Sequence, residues 1–283
     1  MRIVIKFAGA LLEDIAQIDS LSQHVANLAR HGHEILVIHG GGRLFTATLK
    51  RFGIESKFVA GLRVTDRETR DVAVMVFAGL LNKRLAGSIT AAGQPAVGIS
   101  ASDGSCFAAA PLVHNDVEGS LGFVGYLTSV NTSFLESLWR EHLLPVAACL
   151  GQGSDGELYN INADHMAAAC AEFIAADHLI YLTDVAGVLH GENVISAISC
   201  EQIETLVQAR VVSGGMVLKL EAAKRALEGG VSEVHIVGGD SAAAVLDPQL
   251  FSVASNKSSF SSLPGTRVLR ESSPSGLASQ AFV

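Results

Sequence analysis

The chain has 283 residues, of which 49% are hydrophobic and 17% are charged, and it carries a formal net charge of −8. This length and composition predict a folded protein with a large core, arranged as one α/β domain or two closely joined lobes, and they exclude a disordered chain. The acidic balance and the lack of a long basic run argue against a nucleic-acid partner.

Strand and helix patterns alternate along the first half of the chain. Short β-branched runs indicate strands, whereas apolar residues three or four positions apart indicate helices. The expected strands are 2–7, 35–38, 94–100 and 143–148, and the expected helices are 20–30, 44–52, 67–92 and 131–142. Residues 106–127 form a long connection rich in Gly and Ala, for which a β-hairpin flap over a pocket is one option.

The same alternation continues in the second half, after a turn-rich segment at 151–156. We expect an alanine-rich helix after 158–164, strands at 178–182, 231–237 and 265–269, and a helix that the segment 213–219 opens and that runs to 228. The serine-rich chain from 272 onward is expected to be loose. Strands that alternate with helices throughout predict an α/β fold, a three-layer αβα sandwich around a mostly parallel central sheet.

Membrane, secretory and metal-binding classes are not expected. Acidic residues interrupt the apolar windows 166–174 and 226–239 before membrane-spanning length, and a strand begins too soon after Met1 for a signal peptide. The four cysteines form no C-x-x-C pair, which is typical of buried thiols in a reducing cytoplasm. No H-E-x-x-H motif occurs, so we expect no metal held by the protein itself.

A glycine triplet, His39-Gly40-Gly41-Gly42, ends the apolar run that begins at Ile35 and precedes a helical pattern. A strand that ends on glycines at a helix start exposes backbone N–H groups and forms a natural anion site. A plain strand-to-helix turn is the alternative, but three glycines are costly for that purpose alone. The triplet matches neither the G-x-G-x-x-G fingerprint nor a Walker loop.

Two cationic residues precede glycine turns or helix starts in the first half. Lys6 lies at the carboxyl end of the first strand, where ligands bind in open parallel sheets, although a surface lysine is an equal alternative. Arg63 lies in neither a helix nor a strand pattern, and a guanidinium there is suited to bidentate capture of a carboxylate. Thr65 or Asp66 is expected to cap the helix that follows.

Polar residues also cluster at three junctions later in the chain. Asn160, Asn162 and Asp164 stand at a helix start, which needs only one of them as a cap. Asp184 follows a strand and is followed by Gly187, which repeats the strand-to-loop pattern of the first half. Lys219 lies about one turn into a helix between apolar neighbours.

Six motifs in this order resemble the amino acid kinase family: Lys6-Phe7-Ala8-Gly9, His39-Gly40-Gly41-Gly42, Gly61-Leu62-Arg63-Val64-Thr65, Asn160-Ile161-Asn162-Ala163-Asp164, Thr183-Asp184-Val185-Ala186-Gly187-Val188 and Gly215-Met216-Val217-Leu218-Lys219. Within it the chain is most similar to members that phosphorylate the side-chain carboxylate of N-acetyl-L-glutamate in arginine biosynthesis. The likeness extends to about Arg270. It implies an ATP-dependent kinase.

The resemblance also implies which residues act. Catalysis falls to Lys6, Gly9, Asp164 and Lys219. Lys6 and Lys219 would stabilise the transferring phosphoryl group from the substrate and nucleotide sides, with Asp164 orienting both. Substrate binding falls to Gly41, Gly42, Arg63, Asn160 and Asn162, and nucleotide binding to Asp184, Val185, Gly187, Val188, Leu189, Val211, Val212, Ser213 and Met216.

The same resemblance implies an arrangement in lobes and the small-molecule partners. Residues 1–176 would form an N-terminal lobe for acyl-amino-acid binding and dimerisation, residues 177–270 an ATP-binding lobe, and residues 271–283 a loose tail. The partners would be N-acetyl-L-glutamate and ATP, with Mg²⁺ held mainly by phosphates and water. The protein would be a cytoplasmic homodimer.

The chain departs from the family pattern at two positions and in its N-terminal region. Ala8 replaces a glycine, which would tighten the phosphate loop or be tolerated according to its φ angle, and Ala60 replaces a residue that is often polar. Arginine-inhibited members resemble one another in a helix before the first strand. Lys6 comes too soon for such a helix, so we expect no arginine feedback.

Three alternatives to this function stay open. One is a related kinase that acts on carrier-bound aminoadipate or glutamate, which would favour a basic docking surface that this acidic chain lacks. Another is a binding protein that keeps the fold without the chemistry. The third is a Rossmann oxidoreductase, which the absence of G-x-G-x-x-G disfavours.

Overall fold

The computed structural model describes residues 1–113, 121–251 and 262–271. Its strands are β1 Arg2–Phe7, β2 Glu34–His39, β3 Phe58–Val59, β4 Leu62–Arg63, β5 Ala96–Ile99, β6 Phe107–Pro111, β7 Val124–Val130, β8 Leu144–Ala148, β9 Leu150–Gly153, β10 Leu158–Ile161, β11 His178–Thr183, β12 Leu189–His190, β13 Asn193–Val194, β14 Ala197–Ser199, β15 Glu233–Gly238 and β16 Thr266–Leu269. The serine-rich segment from 272, for which a loose tail is expected, lies outside these residues.

Helices alternate with these strands. The α-helices are α1 Ile15–Arg30, α2 Gly42–Arg51, α3 Arg67–Val74, α4 Asn82–Ala91, α5 Thr132–Arg140, α6 Ala163–Phe173, α7 Cys200–Gln208, α8 Gly215–Glu228 and α9 Ala242–Val245. A π-helical segment, Met75–Leu81, joins α3 to α4. Helix α1 begins earlier than the apolar spacing predicts, because the Asp14 side chain caps it by accepting a hydrogen bond from the Ala16 N–H.

The core of the molecule is an eight-stranded sheet in the order β14-β16-β15-β11-β1-β2-β8-β5. Among the described strands of this sheet, neighbours run parallel except β15 and β16, which run antiparallel. The central strands β1, β2 and β11 are almost wholly buried, as expected for a parallel sheet covered by helices. The predicted three-layer α/β fold with a mostly parallel sheet is therefore confirmed.

The sheet is continuous across the boundary predicted between lobes. Residues 1–176 supply the contiguous strands β1, β2, β8 and β5, and residues from 177 onward supply β11, β15, β16 and β14. The two halves meet where β1 pairs with β11. The separate tasks assigned to the two lobes stay a prediction.

A second, smaller sheet closes into a barrel in the order β10-β7-β6-β9. Strands β6 and β7 are the two arms of the hairpin considered for 106–127, and they pair antiparallel; residues 114–120 lie outside the described chain. The prediction of a turn-rich segment at 151–156 is wrong at its start, where β9 runs. Glycines are typical of turns, but here one is needed inside a strand. A Cβ on Gly151 would lie 2.5 Å from the Ala109 Cβ, so the close approach of the strands requires glycine.

The stretch Arg67–Ala91 is the longest apolar helical segment in the described part of the chain. Its 25 residues are long and apolar enough, by length and composition alone, to cross a membrane, which was not expected from the sequence. Half of its most apolar window is buried inside the protein. Val72, Phe77, Leu85 and Ile89 belong to the main core, as in the core helix of a folded domain.

Candidate active site

Lys6, Asp164 and Lys219 meet although they are far apart in the sequence. The Nζ atoms of Lys6 and Lys219 each lie 2.8 Å from the same oxygen, Oδ1 of Asp164. All three are buried: Lys6 and Lys219 are each 6% exposed and Asp164 is 9% exposed. Lys6 reaches the cluster because it lies near the carboxyl end of β1. Asp164 reaches it because it lies in the first turn of α6. The structure thus brings together three of the predicted catalytic residues.

Burial and charge act against each other in this cluster. Burial would raise the pKa of Asp164, but the attraction of Lys6 and Lys219 outweighs it and holds that pKa well below its ordinary value. Burial, together with repulsion from Lys6, lowers the pKa of Lys219 to about 8. The aspartate is therefore charged near neutral pH, and the proton on Lys219 is loosely held compared with that of an exposed lysine.

Tyr181 lies beneath this cluster and was missed in the sequence. The Lys219 Nζ lies 4.9 Å from the centre of the Tyr181 ring, a cation–π distance, and the Tyr181 hydroxyl donates to the Asp164 carbonyl oxygen at 3.1 Å. Tyr181 occupies β11, a run of six buried residues, where nothing in the pattern separates it from core residues.

The glycine turns after β1 and β2 touch each other beside the cluster. A Cβ on Gly9 would lie 2.9 Å from the Gly42 nitrogen, and a Cβ on Gly41 would lie 2.1 Å from the Leu81 side chain. Gly41 also has a φ of 157°, which L residues with side chains rarely adopt. Glycine is therefore required at both positions, and their backbone groups can approach a ligand closely.

Ala8 causes no strain in this loop. Its φ of −67° and ψ of 145° are extended backbone that any residue adopts, and its N–H donates to the Leu182 carbonyl oxygen at 2.9 Å. Of the two outcomes considered for this departure, the alanine is tolerated.

The asparagines at the α6 start have separate partners. The Asn162 side chain caps α6, accepting hydrogen bonds from the backbone N–H groups of Asp164 and His165. The Asn160 amide donates to the Thr65 hydroxyl at 3.2 Å, and Thr65 is fully buried. Asp66 rather than Thr65 caps α3, by accepting from the Thr69 N–H. Of these two asparagines, Asn162 caps the helix and Asn160 does not.

Arg63 lies in the short strand β4, so the prediction that it belongs to no strand is wrong; it pairs with Phe58 of β3. Two residues are too few to produce a strand pattern. The guanidinium carbon lies 4.8 Å from the Phe45 ring centre and 4.5 Å from that of Phe58. Its nitrogens donate to the hydroxyls of Thr46, at 2.7 Å, and Ser56.

These contacts leave the Arg63 charge without an acidic partner among the described residues. Burial lowers the pKa of the guanidinium, which nevertheless keeps its charge at neutral pH because an arginine pKa starts so high. The aromatic rings fix the plane of the group. Arg63 is therefore suited to bind an anion.

A cavity of about 230 Å³ joins these groups. Its lining includes Lys6, Gly9, Gly41, Gly42, Arg63, Asn160, Asn162 and Asp164, all of them predicted catalytic or substrate-binding residues. Phe45, Phe58, Phe77 and Val124 add an apolar wall. Such a site accepts a small molecule that has both an anionic group and an apolar part.

The predicted nucleotide-side residues after β11 differ in what they offer. Asp184 is exposed and lies 3.2 Å from Arg43, while Val185 and Leu189 are also exposed. Gly187 is needed as glycine, because a Cβ there would lie 2.8 Å from the Thr266 hydroxyl. Val188 is fully buried, and its N–H and carbonyl are both hydrogen-bonded within the protein, so it supports the loop rather than offering a group to a ligand.

The remaining predicted nucleotide-side residues surround the start of α8. Ser213 is exposed, Val211 and Met216 are partly buried against the core, and Val212 is buried. Ser213 accepts a hydrogen bond from the Met216 N–H at 3.3 Å through its carbonyl. These residues lead directly to Lys219, one turn further along α8.

No cluster of three His, Cys, Asp or Glu side chains that could hold a metal ion occurs among the described residues. The Asp164 carboxylate already forms salt bridges with Lys6 and Lys219. The described residues therefore do not form an all-protein magnesium site, and a Mg²⁺ ion would have to bind mainly to phosphate oxygens and water.

Comparisons with known proteins show the family to which the chain belongs. A model of the amino acid kinase family matches residues 1–238. An acetylglutamate kinase from Koribacter versatilis is 49% identical over 253 residues, covering 89% of this chain and 95% of its own length. One from Acidobacterium capsulatum is 42% identical over 248 residues, covering 87% and 94%.

A solved structure, N-acetylglutamate synthase from Neisseria gonorrhoeae with coenzyme A and N-acetyl-glutamate, superposes with a TM-score of 0.80 at 22% identity. The alignment covers 96% of this chain and 60% of that one. At this identity the likeness shows a shared fold.

Proposed function

Because the chain belongs to the amino acid kinase family, we propose that it transfers the γ-phosphoryl group of ATP to the side-chain carboxylate of N-acetyl-L-glutamate. The products are N-acetyl-L-glutamyl 5-phosphate and ADP, an early step of arginine biosynthesis. The observation that carries the proposal is the pair of buried lysines on one oxygen of Asp164. The family resemblance of the motifs is confirmed, and the chain is a kinase.

The reaction brings two anions together, which explains why the site concentrates positive charge. The transferring phosphoryl group carries charge on three oxygens, so catalysis depends mainly on positioning and electrostatic stabilisation. In the proposed mechanism Lys6 acts from the side of the acceptor carboxylate and Lys219 from the side of the nucleotide. Asp164 keeps both ammonium groups in place and offsets their mutual repulsion.

The glycine turns complete this charge stabilisation. Gly9, Gly41 and Gly42 supply backbone N–H groups at close range, because no Cβ separates their peptides from the ligand. Backbone donors are fixed before the ligand arrives, so they need little reorganisation during the reaction.

Recognition of the acyl amino acid falls to the other side of the cavity. The guanidinium of Arg63 has the geometry to bind the α-carboxylate, and the Asn160 amide has the donor and acceptor that the acetamido group requires. Asn162 contributes indirectly, by capping the helix that carries Asp164.

The nucleotide is proposed to lie between the loop after β11 and the start of α8. Asp184, Val185, Gly187 and Leu189 offer exposed or backbone groups on one side, and Ser213 and Met216 on the other. Mg²⁺ would bind to the phosphates and water and neutralise part of their charge. Lys219 then meets the phosphate chain at its terminal group.

The test compares variants of the lysine–aspartate cluster with a matched control. Lys219→Ala and Asp164→Ala should each lower kcat about 100-fold or more, a barrier increase of about 2.7 kcal/mol. Both should still bind ATP, measured by calorimetry. Lys224→Ala removes an exposed lysine from the same helix and should keep normal turnover. Near-normal rates in both cluster variants would refute the proposal.

The choice of acceptor is tested on the unmodified enzyme. ATP-dependent phosphorylation is measured with N-acetylglutamate, glutamate and aspartate side by side, and N-acetylglutamate should be preferred. Activity only on a carrier-bound aminoadipate or glutamate would identify the related kinase, and no activity on any acceptor would indicate a binding protein that lacks the chemistry.

A further inference from the structure

His39 occupies a position that the proposed mechanism does not explain. It ends β2 immediately before the glycine turn and is completely buried. Its Nδ1 lies 3.0 Å from the carbonyl oxygen of Gly40, and its Nε2 lies 3.1 Å from Nδ2 of Asn82 in the first turn of α4. Each nitrogen of this buried imidazole therefore has a hydrogen-bond partner, which fixes the orientation of the ring.

Neighbouring groups fix the orientation of the Asn82 amide. Lys83 Nζ, which is only a donor, lies 3.2 Å from Asn82 Oδ1, and Asn82 Nδ2 lies 2.8 Å from the carbonyl oxygen of Val146. The Asn82 NH₂ group must therefore face both Val146 and His39. Gly98 leaves the necessary space, since a Cβ there would lie 1.9 Å from Asn82 Oδ1.

This orientation determines where the proton of His39 lies. Because the Asn82 NH₂ group donates to Nε2, that nitrogen accepts, and the proton of the neutral ring is on Nδ1, from which it is donated to the Gly40 carbonyl oxygen. Burial lowers the pKa of His39 to about 4, so the ring is neutral in the physiological range.

The other titratable groups near His39 do not alter this assignment. Lys83 reaches the ring only through Asn82. Cys149 follows β8 and donates its N–H to the His39 carbonyl oxygen at 3.2 Å. Burial raises the pKa of the Cys149 thiol to about 12, so it too is uncharged.

The hydrogen bond to Gly40 sets the direction of the next peptide N–H. In a trans peptide the carbonyl of one residue and the N–H of the next point to opposite sides. The Gly40 carbonyl is held toward the buried ring, so the Gly41 N–H points away from it, and Gly41 lines the cavity. Among the described residues this N–H has no acceptor. A peptide between two glycines has wide conformational freedom, so an external constraint is needed to hold it.

We propose that His39 and Asn82 are positioning residues, which lock the Gly40–Gly41 peptide so that the Gly41 N–H is presented to the transferring phosphoryl group. The role of the phosphoryl group rests on the proposed function, whereas the tautomer of His39 does not. Neither side chain touches a substrate in this scheme. Their effect on the reaction is transmitted through one peptide plane.

The tautomer is tested first, on the unmodified protein without substrates. Ring nitrogen chemical shifts of His39 from long-range ¹⁵N–¹H spectra should report a neutral ring protonated on Nδ1 at every pH from 5.5 to 8.5, about the range of a physiological assay. A ring protonated on Nε2, or one that titrates inside this range, would overturn the proposal. This result is independent of whether N-acetylglutamate is the substrate.

Asn82→Asp then tests the effect on the reaction with almost no change in shape. The carboxylate attracts a proton to Nε2 and raises the pKa of His39. At low pH the doubly protonated ring still donates to Gly40, but at higher pH the remaining proton stays on Nε2 and the Gly40 carbonyl loses its donor. We expect kcat to fall at least 10-fold between pH 6 and 7.5, with KM for N-acetylglutamate changed less than about threefold, while wild-type kcat stays nearly level.

Gln23→Glu, the same amide-to-acid change on the exposed surface of α1, serves as the control and should match wild type. A kcat of Asn82→Asp that follows the wild-type pH profile would contradict the positioning role. If Asn82→Asp does not fold, as judged by circular dichroism, the ring spectra of the wild-type protein still test the proposal, which a proton on Nε2 would overturn. Wild-type protein that binds ATP but phosphorylates no acceptor would count against the proposed function alone.

Discussion

The charge of Lys219 depends on pH within the range of ordinary assays, because its pKa is lowered to about 8 by burial and by Lys6. The proposed role of Lys219 needs the protonated form, which is present below that pKa and lost above it. We therefore expect kcat/KM of the free enzyme to fall as pH rises through about 8. Lys219→Arg, whose guanidinium stays charged, should be slower but should lack this alkaline limb.

The stability effect of the same group has the opposite direction. The folded-state pKa of Lys219 lies below its ordinary value of 10.5, so the unfolded chain binds more protons between the two values. The contribution of Lys219 to the free energy of unfolding therefore improves as pH rises through this window, while activity declines. At pH 9 about nine-tenths of such a lysine is neutral. A wild-type kcat/KM that stays level up to pH 9 would therefore contradict this account.

Tyr181 offers a test of how the cluster is supported from below. Tyr181→Phe removes the hydroxyl that donates to the Asp164 carbonyl but keeps the ring under Lys219. Thermal unfolding should show a loss of about 1 kcal/mol, the usual value of one hydrogen bond, with kcat nearly unchanged. Tyr181→Leu also removes the ring face, so the alkaline limb should move to lower pH. Equal pH profiles for both variants would exclude a cation–π contribution.

At the scale of single residues, the sequence revealed charged groups near the ends of elements. Lys6 lies near the carboxyl end of β1, and Asp164 and Lys219 lie within about a turn of a helix start, where a charged residue among apolar neighbours needs an explanation. Tyr181 and Asn82 lie inside continuous elements and act through partners that are distant in the sequence, or through backbone carbonyls. Such partners become visible only when the fold brings them together.

At the scale of elements, Arg43 links the two halves of the molecule near the glycine turns. It lies at the start of α2, and its guanidinium lies 3.5 Å from Glu13 and 3.2 Å from Asp184 while remaining 65% exposed. Exposed pairs of this kind contribute little to stability, about 1 kcal/mol at most. We propose that the guanidinium exchanges these acids for nucleotide phosphates, which an arginine binds with the same bidentate geometry as carboxylates.

Arg43→Ala should therefore change nucleotide use more than stability. We expect KM for ATP to rise about threefold to tenfold at low salt, and the difference from wild type to shrink at about 0.5 M NaCl as charges are screened. The melting temperature should stay within a few degrees, about the shift that 1 kcal/mol produces in a domain of this size. Arg51→Ala, at the other end of α2, is the control. An unchanged KM for ATP would remove Arg43 from the nucleotide site.

Element positions followed from apolar periodicity, but two local features did not. The stretch 67–92 was predicted as one helix, and its π-helical segment Met75–Leu81 leaves no trace in the spacing of apolar residues. The small barrel also escaped prediction, because Gly151 and Gly153 weaken the strand pattern of β9. In β9, pairing with β10 and β6 overrides the local preference.

At the scale of the whole molecule, the class of fold was predictable whereas the order of strands was not. Alternating strands and helices indicate a parallel sheet, but they do not predict that β11 pairs with β1. That insertion is what places Lys219 and Lys6 on the same acid. The family motifs supplied this information indirectly, since they carry the arrangement of a fold that the periodicity alone does not specify.

The homodimer is a prediction for which the structure suggests a surface. Met75 and Leu80, 56% and 49% exposed, lie on the π-helical segment with the exposed Gly79 between them. Exposed apolar side chains next to a glycine allow close approach of a second helix. We expect light scattering of the wild-type protein to give twice the chain mass of 29.5 kDa. The double variant Met75→Glu/Leu80→Glu should be monomeric.

The monomeric variant should also be a poor enzyme, because the same segment supports the glycine turn. Leu81 fills the space that a Cβ on Gly41 would need, and Asn82 and Lys83 continue from it to His39. Loss of the partner should loosen this segment and lower kcat several-fold, with little change in KM. Ile15→Glu with Phe52→Glu alters exposed apolar residues elsewhere and should leave mass and kcat unchanged. A monomeric wild-type chain, or a fully active monomeric variant, would break the proposed connection between assembly and catalysis.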